Sequence, residues 1–341
     1  MKILFIGGNG NISWWCVQTA IEAGYTCYVL NREETLNTRR EIQPEVIKLK
    51  ADIRNKEDVT KVLEGLEFDC VIDFICYNEE HAKYDLELFK YITKQFIYIS
   101  TSAVYKRESK FMPFKENSPQ WNEGEYEYAL DKIKCEKIFM NNYEKNQFPV
   151  TIVRPTHTYD TIVPVSIGHN CFTAPQRYLE GKPVLIAGDG TNIWTITHSK
   201  DFANALIGLI ENKSSIGEDF HISSDELITW LDMTKYLLDA MNIKEYKLIH
   251  IPIKELINID IPKSSNLNIV SAFGKAFEGH RMWCDIYDNS KIKKYVPNWK
   301  SKILFKDGIK ETINWFMEKN IRKRFNKDLD TVLDRLTFKF Q

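Results

Sequence analysis

The sequence predicts an α/β chain built on a doubly wound parallel sheet, with a smaller C-terminal lobe as the second wall of a cleft. Three observations carry the prediction. Apolar runs without polar alternation recur at residues 2–6, 27–30, 70–75 and 96–99, as strands buried on both faces require. Helical patterns lie between them, so strand and helix alternate from the start of the chain. The first run passes through Gly7-Gly8-Asn9-Gly10-Asn11-Ile12-Ser13 directly into a helical pattern that ends at Ala23-Gly24.

That first turn has a chemistry. Glycines let a backbone approach a pyrophosphate, and a helix N-terminus offers it N–H groups and a positive dipole end. Gly7-x-x-Gly10-x-x-Ser13 has the spacing of a dinucleotide turn, which makes Gly7, Gly10, Asn11 and Ile12 candidate contacts. A tight strand-to-helix turn without a ligand uses the same glycines. Two features add weight to the ligand: the strand begins at residue 2, and a second strand, 27–30, follows at βαβ distance. Ser13 stands where a third glycine is usual, at the point where helix packs on strand.

The second strand ends in Asn31-Arg32-Glu33-Glu34, where such a fold tests the adenosine ribose. An acid there selects NAD, and an arginine without it pairs with a 2′-phosphate or stacks on adenine. Asn31 and Arg32 lean towards NADP; Glu33 or Glu34 could still serve as the acid, and a solvated arginine in a charged loop reads the same. A third strand, 46–50, leads to Ala51-Asp52-Ile53, with Asp52 facing the adenine edge and Ile53 beside it, and then to a helix over 58–65. The buried strand 70–75 contributes Phe74 as a cofactor contact and precedes a surface helix over 78–94. The fifth strand, 96–99, runs into Ser100-Thr101-Ser102-Ala103-Val104-Tyr105, which puts hydroxyls at the carboxyl end of a parallel strand, where open sheets build their sites.

A helix over 125–143 opens with Tyr126-Glu-Tyr128-Ala-Leu-Asp-Lys132. Tyr128 and Lys132 are four apart and share a face. An ammonium beside a phenol favours the phenolate, so Lys132 is expected to lower the Tyr128 pKa towards neutrality, as a general acid/base for an alcohol and ketone pair requires. Tyr126 is a decoy two residues away.

Composition narrows the partners. The 341 residues suffice for a large domain and a lobe, and 43% hydrophobic content can fill their cores. With 46 basic and 47 acidic residues the net charge is −1, and no basic run points to nucleic acid or an anionic membrane. Seven scattered cysteines without a C-x-x-C pair read as reduced core thiols of a cytoplasmic protein, and no metal site is visible. Residues 1–6 are too short for a signal segment, and no run is long enough to span a membrane. A small molecule is the expected partner.

The glycine turn, Asp52, residues 100–105, Tyr128 with Lys132, Val153-Arg154-Pro155, Gly188-Asp-Gly190, Asp201-Phe-Ala203, and Ser290-Lys291 before residues 308–315 together resemble the extended short-chain dehydrogenase/reductase family, the NAD(P)-dependent epimerase/dehydratase group. The resemblance covers nearly the whole chain. It implies a Rossmann domain over 1–158, completed by about 195–222, a substrate lobe from 159–194 and 223–320, and an appended amphipathic helix over 321–341 that docks on the body or on a second copy, with a homodimer possible. Aligning Val104-Tyr105 with the family's valine-tyrosine pair implies Thr101 as the catalytic hydroxyl, with Ser102 as fallback and substrate contact. Tyr128 is then the proton shuttle, Lys132 holds the nicotinamide ribose, and Ser100 and Pro155 join the cofactor site.

Past Pro155 the resemblance implies the substrate side. His157 stands at the junction of nicotinamide and substrate, either as a ligand or packed in a loop. Arg177 lies in a helix over 172–180, and Arg281 is a second candidate phosphate contact, about three residues off the usual offset from Ser290-Lys291. Trp194 occupies a position commonly held by an arginine that grips a diphosphate. Tryptophan can stack on a base or sugar but cannot neutralise phosphate, so a nucleotide-sugar substrate loses a main support. Ser223 to Trp230 reads as a capped helix start and residues 250–252 as a late strand.

These features imply a sugar epimerase that works by transient oxidation to a ketone and return of the hydride. An NADPH-dependent reductase of a keto sugar or other carbonyl compound is the alternative, and a non-catalytic NAD(P) sensor or RNA-binding protein stands behind both. Ser102-Ala103, where 4,6-dehydratases need an Asp-Glu pair, disfavours dehydration.

Overall fold

The computed structural model describes residues 1–32, 39–107, 109–124, 126–168, 171–210, 212–261 and 273–341. Glu33, Glu34 and Glu125, named above as a ribose acid or as a helix limit, lie outside them. Its centre is a seven-stranded parallel sheet formed by β1 (Lys2–Ile6), β2 (Thr26–Asn31), β3 (Ile47–Lys50), β4 (Cys70–Asp73), β5 (Phe96–Ile99), β6 (Val150–Pro155) and, after four short or peripheral strands, β11 (Asp219–Ile222). The spatial order is β11-β6-β5-β4-β1-β2-β3. The order reverses between β1 and β4, and ligands bind in the crevice that such a reversal opens at the carboxyl ends.

Apolar runs became strands because both faces of the sheet are covered. Every residue of β4, β5 and β6 is buried, and so are the last four of β1. On one face α1 (Ser13–Glu22) packs with α6 (Ser199–Ile207), joining Val17 and Ala20 to Phe202, Leu206 and Phe220. On the other lie α2 (Lys56–Leu63), α3 (Glu79–Phe89) and α4 (Glu127–Asn146), which bury Val59, Ala82, Phe89 and Phe139. Asn55 and Asn78 cap α2 and α3 by accepting backbone N–H groups, which explains why those helices start where they do.

Most of the remaining chain forms the lobe, but the expected lobe span 223–320 needs correction, because Ile292 and Trp299 pack into the core of the central sheet. The lobe contains the strand pairs β7 (Thr158–Tyr159) with β10 (Thr197–His198), β8 (Val184–Ala187) with β13 (Leu248–Ile251), and β9 (Ile193–Trp194) with β12 (Ile228–Thr229). Helices α5 (Thr173–Leu179) and α7 (Trp230–Ala240) and the helix Phe305–Glu318 close its core around Phe172, Trp230 and Phe316. The Ser223 to Trp230 reading needs correction: α7 begins at Trp230, and its cap is Thr229, which accepts from the Asp232 N–H. Ser223 and Ser224 instead hydrogen-bond Thr195 and Thr197 across the lobe.

The C-terminal helix (Lys327–Phe340) buries Leu329, Val332, Leu333 and Leu336 against Leu185, Ile249 and Ile251. It therefore docks on the body. Arg177 is the polar pin of that contact, and this corrects its assignment as a substrate ligand: the side chain is 1% exposed, pairs with Asp330 and Asp334, and donates to Thr337. A guanidinium so enclosed by carboxylates has no face left for a phosphate.

Candidate active site

The carboxyl ends of β1, β4 and β5 meet at the glycine turn. Gly7 has φ +81°, and a Cβ there would lie 2.9 Å from the Ile75 side chain, so the backbone and the segment after β4 are in direct contact. Ser13 braces the turn: its hydroxyl donates to the Gly7 carbonyl at 2.6 Å and accepts from the Gly10 N–H at 2.8 Å. Asn11 ties the turn to the loop after β7, donating to Thr158 and accepting the Thr161 N–H. The N-cap of α1, Ile12, makes no side-chain cap, and although the Trp14 N–H bonds the Gly10 carbonyl at 3.2 Å, this uncapped helix end stays open to an outside acceptor. Beside it the buried Asn9 Nδ2 has no acceptor among the described residues. A cradle with open donors and an orphaned buried amide fits the pyrophosphate of a dinucleotide.

At the end of β2, Arg32 and Asp52 come together at 3.8 Å, both substantially exposed. Arg39, which donates to the side-chain oxygen Oδ1 of Asn9, is near enough to Arg32 and Arg324 that they add to burial in lowering its pKa. Arg32→Ala is expected to weaken NADP relative to NAD by about tenfold, or about 1.4 kcal/mol; an unchanged ratio in competition titrations would make Arg32 a surface residue only.

Thr101 lies two residues past β5 and turns the chain, its hydroxyl accepting the Ala103 N–H. The same hydroxyl lies close enough to the Tyr128 phenol, on α4, to favour its ionised form. Tyr128 is 44% exposed on the cleft. Lys132 lies one turn along, but its partner is not the phenol: Nζ donates to the carbonyls of Cys76 at 2.7 Å and Ile99 at 2.9 Å, over the rings of Tyr77 and Tyr98. This corrects the expected coupling. A buried ammonium takes the nearest acceptors, and the open carbonyls after β4 and β5 lie closer to it than Tyr128 does electrostatically. Desolvation raises the Tyr128 pKa, with the nearby Thr101 hydroxyl acting the other way. Burial lowers that of Lys132.

Residues 3–223 match the NAD dependent epimerase/dehydratase family. The chain belongs to that family. Solved structures that share the fold include a UDP-glucuronic acid 4-epimerase from Bacillus cereus in complex with NAD, with TM-score 0.70 and 20% identity over 95% of this chain and 100% of that one. Another is the epimerase Mth375 from Methanothermobacter thermautotrophicus, with TM-score 0.73 and 15% identity over 93% and 92%. Among characterised relatives, a chloroplast stem-loop binding protein of 41 kDa from Arabidopsis thaliana is 21% identical over 98% of this chain and 83% of its own length. A 2′-dehydrokanamycin reductase from Streptomyces kanamyceticus is 21% identical over 71% and 67%, and the human dTDP-D-glucose 4,6-dehydratase 24% over 67% and 60%.

The other candidate residues of the family pattern divide. Ser100 does not face a cofactor with its hydroxyl, which donates to Glu136 at 2.6 Å. Trp194 is fully buried, its Nε1–H donating to the Trp283 carbonyl and its ring packed on Trp230 and His280. It therefore cannot stack on a base or sugar from where it sits, and His157 is the half-buried ring in front of it, with centroids 5.8 Å apart. Arg281 donates to the Gly168 carbonyl at 2.9 Å, and burial brings its pKa down to about 10. That bond uses Nη1 alone, and neither Nε nor Nη2 is bonded to a described residue.

Two site features were not anticipated. Tyr77, 48% exposed, lies near both Tyr128 and Lys132; its place just past β4 was the available signal. The second is the buried ion pair of Arg107 with Asp285, which joins the Ser102 turn to the lobe through the Arg107 bond to the Ser102 carbonyl at 3.0 Å. Burial alone would raise the Asp285 pKa, but Arg107 and His280 hold it at about 2. Nothing local marks a pair 178 positions apart.

Proposed function

We propose that the chain interconverts a secondary alcohol and a ketone on a sugar-like substrate with NAD(P), leaning towards NADP, and that ketone reduction is its favoured direction. The neighbouring hydroxyls of Thr101 and Tyr128 beside a dinucleotide cradle carry this reading. Gly7, Gly10, the N–H groups of Asn11 and Ile12, Arg32, Asp52, Ile53, Phe74 and Lys132 would hold the dinucleotide, with Pro155 flooring the nicotinamide end. When bound, the nicotinamide supplies or accepts the hydride. Tyr128 rests protonated, so it can give its proton to the substrate oxygen as a carbonyl carbon is reduced, with Thr101 orienting that oxygen. Solvent returns the proton to the phenol.

With Arg177 committed to the C-terminal helix and Trp194 buried, Arg281 is the one of these three that keeps donors for a phosphate. The loss of two of the three candidate grips favours a substrate without a nucleotide diphosphate, in keeping with a relative named for 2′-dehydrokanamycin. An epimerase would use the same phenol in both directions. The stem-loop binding relative, aligned over nearly the full chain, supports a third reading in which the fold holds RNA.

The test supplies the purified protein with free and nucleotide-linked sugars and their ketones, with NADPH or NADH at stoichiometric and catalytic levels. Loss of nicotinamide absorbance matching product one for one supports the reductase. Product without net absorbance change replaces it with the epimerase. No conversion, together with retention of a stem-loop RNA, replaces both.

A further inference from the structure

Two carboxyls lie fully buried behind the cofactor wall, and the reaction above does not use them. Asp73 ends β4 and Asp85 sits in α3; both are 0% exposed. Their oxygens divide the same way. Asp73 Oδ1 accepts the Ile75 N–H at 2.6 Å, and Asp85 Oδ1 faces Arg54 Nη1 at 3.4 Å. The Oδ2 atom of each is buried with no donor among the described residues. Both carboxyls close on residue 75, Asp73 through the Ile75 N–H and Asp85 through Arg54, which also holds the Ile75 carbonyl, and Asp73 acts directly on Asp85. One proton shared between them satisfies both orphaned oxygens, with the Cys76 thiol the other donor beside Asp85.

The segment they hold is the cofactor wall. Asp73 fixes the Ile75 N–H, and Arg54 Nη2 fixes the Ile75 carbonyl at 2.7 Å. The Ile75 side chain is what Gly7 packs against, and the Cys76 carbonyl receives Lys132. We propose that Asp73 and Asp85 share one proton and act as a positioning pair, so that dinucleotide affinity is high while the proton is held and falls at alkaline pH when it is lost. This rests on the reading that the glycine turn holds a dinucleotide. Losing the proton sets two carboxylates against each other, pushes residues 74–76 and disturbs the glycine turn and the Lys132 anchor at once.

The surrounding groups set the sign. Burial and Asp73 push the Asp85 pKa well above the carboxylate range; Arg54 and the Cys76 thiol oppose this without reversing it. Tyr84 faces Asp85 from α3 as a neutral phenol, while Tyr77, His81 and Lys132 face Asp73, with Lys132 the cation among them. A folded-state pKa above the unfolded one contributes stability below the unfolded value that is lost as pH rises through the folded one.

The experiment measures NADPH and NAD affinity from about pH 6 to about pH 9.5 for wild type, Asp85→Asn and Asp73→Asn, with denaturant unfolding and infrared spectra of the cofactor-free proteins alongside. The amide that Asp85→Asn introduces can donate to Asp73 and still accept from Arg54, so it replaces the proton with one that does not titrate. Wild type is expected to lose up to about tenfold in affinity per pH unit above the pair's titration, to lose folding stability over the same range, and to show a protonated-carboxyl C=O band at neutral pH. Asp85→Asn should keep the acid-side affinity, show no slope and lack the band; Asp73→Asn serves if it does not fold. A wild-type slope retained in both substituted proteins, or no such band in wild type, overturns the proposal. If neither dinucleotide binds at any pH, the functional reading fails by itself, and the band and unfolding profiles decide whether the proton is shared.

Discussion

Tyr128→Phe is expected to lower turnover by on the order of 10² to 10⁴-fold, about 3 to 5 kcal/mol on the barrier, with dinucleotide affinity essentially unchanged. The substitution removes the proton donor and leaves the ring. Tyr126→Phe should keep most of the activity. Tyr126 packs its ring on Gly279 at the lobe, and burial lifts its pKa to about 12, so its hydroxyl is a poorer shuttle and faces the lobe side of the cleft. Equal losses in the two variants would mean that the start of α4 had been damaged and that neither phenol had been identified.

The pH dependence of that activity has a definite sign. Ketone reduction needs the protonated phenol, which the raised pKa of Tyr128 provides through the neutral range; the rate should be flat there and fall only at strongly alkaline pH. Alcohol oxidation needs the phenolate and should rise with pH over the same range. A reduction rate that falls through neutrality would show that the bound state lowers the Tyr128 pKa after all, as the spacing of Lys132 first suggested.

That spacing misled for a physical reason. Four residues on a helix place two side chains on one face, but they do not say where a long, flexible ammonium ends. Lys132 ends on carbonyls contributed by the segments after β4 and at the end of β5, 56 and 33 positions away. The sheet itself was legible because unbroken apolar runs such as Phe96–Ile99 leave a strand little choice once both faces are covered. The glycine turn was legible because only a residue without Cβ fits against Ile75 at Gly7. Arg177 and Trp194 escaped a sequence reading for the opposite reason: each is closed by partners remote in sequence, Asp330 and Trp283.

Arg154→Met is expected to cost about 3 to 5 kcal/mol of folding stability, read from denaturant unfolding. Arg154 follows the strand pattern of β6 and looks like one residue of a family signature, yet its guanidinium is the centre of a buried charge network. Nε and Nη2 donate to the two oxygens of Glu136 at 2.9 and 2.8 Å, and Nη1 donates to the Tyr105 hydroxyl at 3.0 Å. Asp219 pairs with it at 2.7 Å, and Lys291 supports Asp219 from the other side. Methionine keeps the apolar stem and deletes the charge. Glu136, only 5% exposed, would then keep just the neutral donors Ser100 and Gln120, too few for a buried carboxylate. Adding Glu136→Gln should restore most of the loss at neutral pH, since the double variant leaves no unpaired charge at this point. Activity should follow, because Ser100 and Tyr105, which flank Thr101, both hang from this network. A single variant as stable as wild type, or a double variant no better than the single, would show that the cluster is held by packing alone.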